Sequence, residues 1–228
     1  AEAKLGRELL PSENPYTSIA ALRTPQAARV KYMVERGMID LAGNLVGPAL
    51  DDIRHLVQGR QTDFAIYLWA RRSLALWSDP RGARDPGLSQ EDAGEIIEEL
   101  GSRDFELAAG KVYTWNAAVL DYAAQASPTF AEVVERVRER DPGDYIPLQR
   151  VFEDLDDLWA RSAGGTATTR SPVKRLHGSG LRIKEPFAQM IAQAEQTLRA
   201  AHARLVLDQI IKLAQINGMG HLIEEVPV

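Results

Sequence analysis

Apolar positions along this chain recur mostly at three- and four-residue intervals, the period of a helix face. The cleanest run lies between Asp104 and Ala126, where Phe105, Ala108, Val112, Trp115, Val119 and Tyr122 are spaced 3, 4, 3, 4, 3. A seam of that kind needs a partner helix. A second long run follows Pro186, where Phe187, Ile191, Ala194, Leu198, Ala201 and Leu205 are spaced 4, 3, 4, 3, 4. It predicts the longest helix, reaching about Gln215 and stopped by Asn217-Gly218. Asp208 falls where the next apolar residue belongs, and Val206, Ile210, Ile211 and Leu213 widen the stripe, so that end is expected to be buried on several sides.

Shorter patterns fill in the rest. Thr24-Pro25 predicts a helix start and Gly37 its stop. A further helix is expected over about 38–58, broken near Gly47-Pro48. Phe64, Tyr67, Ala70, Leu74 and Trp77 mark one stripe on a helix from Thr62 to Trp77, with Trp69 off it and free to face another domain. Ser89 and Asp92 form a variant of the capping box ahead of Ile96, Ile97 and Leu100. Ser127-Pro128 opens a helix with Phe130, Val133, Val134 and Val137 inward, and Pro147 opens another with Leu148, Val151, Phe152, Leu155 and Trp159. The expected fold class is all-α: a single domain of seven or eight helices over 25–228, preceded by an extended segment over 1–24. The long C-terminal helix is expected to pack on the 104–126 helix.

Composition changes this picture little. The chain has 228 residues, 45% hydrophobic and 26% charged, with no Cys and a net charge of −5. That size buries a sizeable core, roughly 70% of the unfolded surface. The missing Cys removes disulfides, thiol catalysis and Cys-ligated zinc together, and fits a reducing compartment. No run of 18 apolar residues suggests a membrane span. The first residues, Ala1-Glu2-Ala3-Lys4-Leu5-Gly6, carry neither an initiator Met nor a signal-like apolar stretch. They fit a segment excised from a longer polypeptide.

Charge does change the picture in one place. Residues 162–182 form a long Gly/Ser/Thr-rich loop without periodicity. From Ala160 to Lys184 there is no acidic residue, while Arg161, Arg170, Lys174, Arg175, Arg182 and Lys184 are all basic. Such a run suits phosphate or an acidic protein partner. It suits better a disordered, solvated loop, or one that pairs with the neighbouring Glu153, Asp154, Asp156 and Asp157. No aromatic residue lies in 160–184 to stack on bases, which counts against single-stranded nucleic acid. Gly164-Gly165 lacks the spacing of a phosphate loop.

Candidate chemistry is sparse. His55, His177, His202 and His221 have no metal-ligand spacing and read as surface or partly buried side chains. Glu98-Glu99 and Asp156-Asp157 are adjacent pairs, which diverge on a helix. Ser73, Ser78, Ser127 and Ser179 have no evident base. Asp208 reads as a structural ion pair, with Arg204 four residues before it and Lys212 four after. Trp77, Trp115 and Trp159 read as core. No cofactor, metal or catalytic residue is expected, and an enzyme would require distant carboxylates converging in a deep polar pocket.

Several words in a fixed order carry a resemblance. They are Tyr67-Leu68-Trp69-Ala70-Arg71-Arg72, Gly87-Leu88-Ser89-Gln90-Glu91-Asp92-Ala93, Trp115-Asn116 and Tyr145-Ile146-Pro147-Leu148-Gln149-Arg150-Val151-Phe152-Glu153. Ser171-Pro172-Val173-Lys174-Arg175-Leu176-His177-Gly178-Ser179 and Ile183-Lys184-Glu185-Pro186 follow, then the long helix. Over roughly residues 40–228 this series resembles an α-helical module of the large polyvalent proteins of phages and conjugative elements. The resemblance implies a module beside separate enzymatic domains, inside a protein carried in the virion and delivered into the host cytoplasm with the DNA. It implies other segments of the parent protein, other virion proteins or a second copy as partners. A nucleic-acid contact through 161–184 during packaging or ejection is the alternative. No catalytic residue is carried over.

Overall fold

The computed structural model describes residues 26–79, 88–140 and 186–214, together with Gly6, Glu8, Asn14 and Ile19. Among the described residues the fold is all-α. Its seven helices are α1 (Gln26–Arg36), α2 (Leu50–Leu56), α3 (Gln61–Trp77), α4 (Gln90–Leu100), α5 (Arg103–Ala126), α6 (Pro128–Arg140) and α7 (Pro186–Ala214). The expected turn at 141–144, helix from Pro147 and loop 162–182 lie outside the described residues, as does nearly all of 1–24.

The hub is α5. All six residues of its predicted seam are buried, and α2, α3, α6 and α7 pack on it. Each large side chain on that seam contributes about 1.5–3 kcal/mol on leaving water. Ser102 starts the helix by accepting a hydrogen bond from the Phe105 N–H at 3.3 Å, which satisfies one orphan amide. Pro128 ends it, because the residue before a proline is driven out of the helical region, and Ser127 is extended at φ −160 and ψ 141. The same proline opens α6, whose first turn is closed by Ala131 N–H donating to Ser127 O at 3.0 Å.

The long helix α7 packs on α5, as its pattern predicts, and also on α1. Phe187, Ala194, Leu198 and Ala201 are buried. Its far end differs from expectation: Val206 and Gln209 are buried, but Leu207 is 44% and Ile210 36% exposed. Asp208 pairs with Arg204 at 2.9 Å. Phe187 joins an aromatic knot at the other end. Its ring stacks with Phe64 at 6.2 Å, while Phe105 meets Phe64 at 5.2 Å and Tyr67 at 5.5 Å. The Arg60 guanidinium lies over the Phe105 ring at 4.3 Å.

Four local expectations are corrected. Residues 38–48 are not helical but form a tight turn, with an isolated bridge between Ile39 and Leu45. Asp40 holds it, accepting from the Asn44 backbone N–H at 2.8 Å and its side-chain amide at 3.0 Å. Those bonds also hold the Asp40 carboxyl below the usual carboxylate range. Side-chain bonds of this kind compete with a helix. Helix α3 is buried from Phe64 through Ala70 rather than along one stripe, so Trp69, 2% exposed, belongs to the core and faces no other domain. Conversely Trp77 is 50% exposed at the end of α3, where its indole N–H donates to Leu88 O at 2.8 Å. In α6, Val134 is buried but Val133 is 41% exposed.

Candidate functional site

The six basic positions of the run, Arg161, Arg170, Lys174, Arg175, Arg182 and Lys184, lie outside the described residues. So do the acidic cluster at 153–157, His177, His221 and Ser179. Of the other sequence candidates, His55, Glu98 and Glu99 are exposed and Ser73 and Ser127 are buried. No group of His, Asp and Glu suited to a metal ion occurs among the described residues.

What the fold does bring together is a polar cluster of three residues from three helices: Arg29 of α1, Tyr122 of α5 and His202 of α7. Their sequence separations are 93, 80 and 173 residues. Packing of α7 against both α5 and α1 places them face to face. Arg29 Nη1 donates to the Tyr122 hydroxyl at 2.7 Å. The same nitrogen donates to His202 Nε2. The Tyr122 hydroxyl and His202 Nε2 are 2.7 Å apart. Since the guanidinium can only donate, Nε2 accepts, and the neutral ring carries its proton on Nδ1. Tyr122 is 1% and His202 5% exposed.

The electrostatics follow from that placement. Burial first, and the Arg29 charge second, push the His202 pKa down to about 4. Burial raises the Tyr122 pKa despite Arg29, so its hydroxyl stays protonated and donates to Nε2. Chemically, this is an imidazole whose acceptor nitrogen is already engaged by two donors. That arrangement ties three helices together.

A second feature is an open depression of about 380 Å³ between α3, α4 and the start of α5. Tyr67, Arg71, Leu74, Ala75, Ser78, Ile97 and Glu106 line it. Arg71 lies over the Tyr67 ring at 5.8 Å and the Tyr113 ring at 5.6 Å, and donates to the Tyr67 hydroxyl at 3.4 Å. Glu106 is the one carboxylate among the described residues of this lining, so they do not supply the pair needed for two-carboxylate chemistry.

Sequence reasoning put Tyr122 on the α5 seam, treated His202 as one of several scattered histidines and passed over Arg29. The available signal was the tyrosine itself: a buried phenol usually finds a partner for its hydroxyl. No family model, curated protein or solved structure matches the chain.

Proposed function

We propose that this chain is a non-enzymatic interaction module of a large phage protein, carried inside the virion and delivered into the host cytoplasm with the DNA. Its partners on this reading are other segments of the parent polypeptide, other virion proteins or a second copy of itself. The observation that supports binding over chemistry is the use made of His202. The buried imidazole has its acceptor nitrogen committed to Arg29 and Tyr122. The phage setting rests on the ordered series of sequence words that runs from Tyr67 to Pro186.

One observation favours a second reading, in which the module binds nucleic acid: six basic and no acidic residues between Ala160 and Lys184. Binding to labelled duplex and single-stranded DNA across a salt series separates the two. The control replaces Arg170, Lys174, Arg175, Arg182 and Lys184 with Gln. The interaction-module reading predicts no binding at physiological salt and no difference from the control. Micromolar binding with a salt slope of about −4.5 on duplex DNA, lost in the control, would replace it with the nucleic-acid reading.

A further inference from the structure

The Arg29–Tyr122–His202 cluster sits where α1 meets the α5–α7 pair, and its hydrogen bonding works in one protonation state only. We propose that His202 is the acid-sensitive member of a latch that joins α1 to α5 and α7. With its ring neutral it accepts from Arg29 and Tyr122; once Nε2 is protonated, the latch opens.

The donor count makes the case. In the neutral state Arg29 donates to the Tyr122 oxygen and to Nε2, and the Tyr122 hydroxyl donates to Nε2. Protonation at Nε2 turns the acceptor into a third donor. Arg29 and Nε2–H then both point at the phenol oxygen, the Tyr122 O–H is left without its acceptor, and an imidazolium faces a guanidinium in a site nearly closed to water. Like charges in such surroundings repel far more strongly than in solvent.

Nothing among the described groups offsets that charge. From α1 the group facing His202 is Arg29, and from α5 it is Tyr122. Asp40, in the turn after α1, acts on Tyr122 rather than on His202. On α7 itself Arg199, one turn before, is exposed and of the same sign, and Arg204 and Asp208 pair with each other. Burial and Arg29 hold the ring's pKa at about 4, against an ordinary value of 6.5. The latch's contribution is therefore complete above pH 6.5 and is lost as the pH falls from 6.5 through 4.

The test is amide hydrogen exchange of the full chain at pH 7 and pH 4.5, corrected for the intrinsic pH dependence of exchange. It is read on α1 and on residues 198–209, with α3 and α4 as the internal reference. The wild type is expected to lose about 60-fold in protection at α1 and 198–209 beyond any change in the reference. The variant His202→Gln, whose carbonyl oxygen accepts but does not titrate, is expected to lack that component. Equal losses in the two proteins, or no excess over α3 and α4, would overturn the latch. Should the variant fail to fold, the wild-type ring titration by NMR decides instead. A His202 pKa below about 5.5 supports the latch, and a value above that removes it.

Discussion

Phe105 is the residue whose removal ought to hurt this fold most, and the cost can be worked from its surroundings. The ring is 1% exposed. It meets Phe64 edge-on at 5.2 Å, Tyr67 at 5.5 Å and the Arg60 guanidinium at 4.3 Å. Truncating a buried phenylalanine costs about 3–5 kcal/mol in lost transfer energy and cavity. The ring pairs, worth about 0.5–1.5 kcal/mol each, keep Phe105→Ala away from the lower end of that range. A loss of about 4 kcal/mol is a large share of the roughly 5–15 kcal/mol by which a domain is stable. Equilibrium urea unfolding followed by tryptophan fluorescence measures it. With a slope of about 2 kcal/mol per molar, the midpoint should fall by about 2 M. Phe105→Leu keeps much of the volume and loses the ring contacts, so about 1–2 kcal/mol is expected. Leu107→Ala, two residues on and 50% exposed, should stay within about 0.5 kcal/mol. A Phe105→Ala cost no larger than that of Leu107→Ala would refute the placement of α5 at the centre of the core.

The remaining predictions concern turns, caps and one ion pair, all read by the same unfolding assay. Gly37 has φ +117, and a Cβ there would lie 2.7 Å from Gly47 O and 2.8 Å from Leu45 Cδ1, so Gly37→Ala should cost about 1–3 kcal/mol. Gly43, at φ +89 with nothing within 4 Å of a built Cβ, should cost less when changed to Ala. Ser102→Ala removes the α5 cap and should cost about 0.5–2 kcal/mol. Asp208→Asn should cost under about 1 kcal/mol, because Arg204 is 36% exposed in that pair.

The α5 seam was legible because its burial is one-sided, so the 3–4 spacing survives in the sequence. The first half of α7 and the second half of α4 were legible for the same reason, and the Ser89 and Ser127-Pro128 boundaries for local stereochemical ones. Trp69 was misplaced because α3 is buried all round its middle: a helix enclosed on every side has no polar face, and stripe logic then assigns an outside that does not exist. Trp77 was misplaced in the opposite sense, since the stripe runs past the end of the covered part of the helix. Residues 38–48 carry enough apolar side chains to look helical. The deciding feature is Asp40 bonding to Asn44, three residues before Gly47 of the Gly47-Pro48 break. The Arg29–Tyr122–His202 cluster was not legible as a unit, because each member lies on a different helix and the pairing depends on how three helices dock.

The measurement that bears most directly on the functional reading is mass spectrometry of purified particles of the element that encodes this protein, with and without external protease. The interaction-module account predicts peptides from this chain in intact particles, protected from protease until the capsid is opened. A parent protein made during infection yet absent from the particles would contradict it.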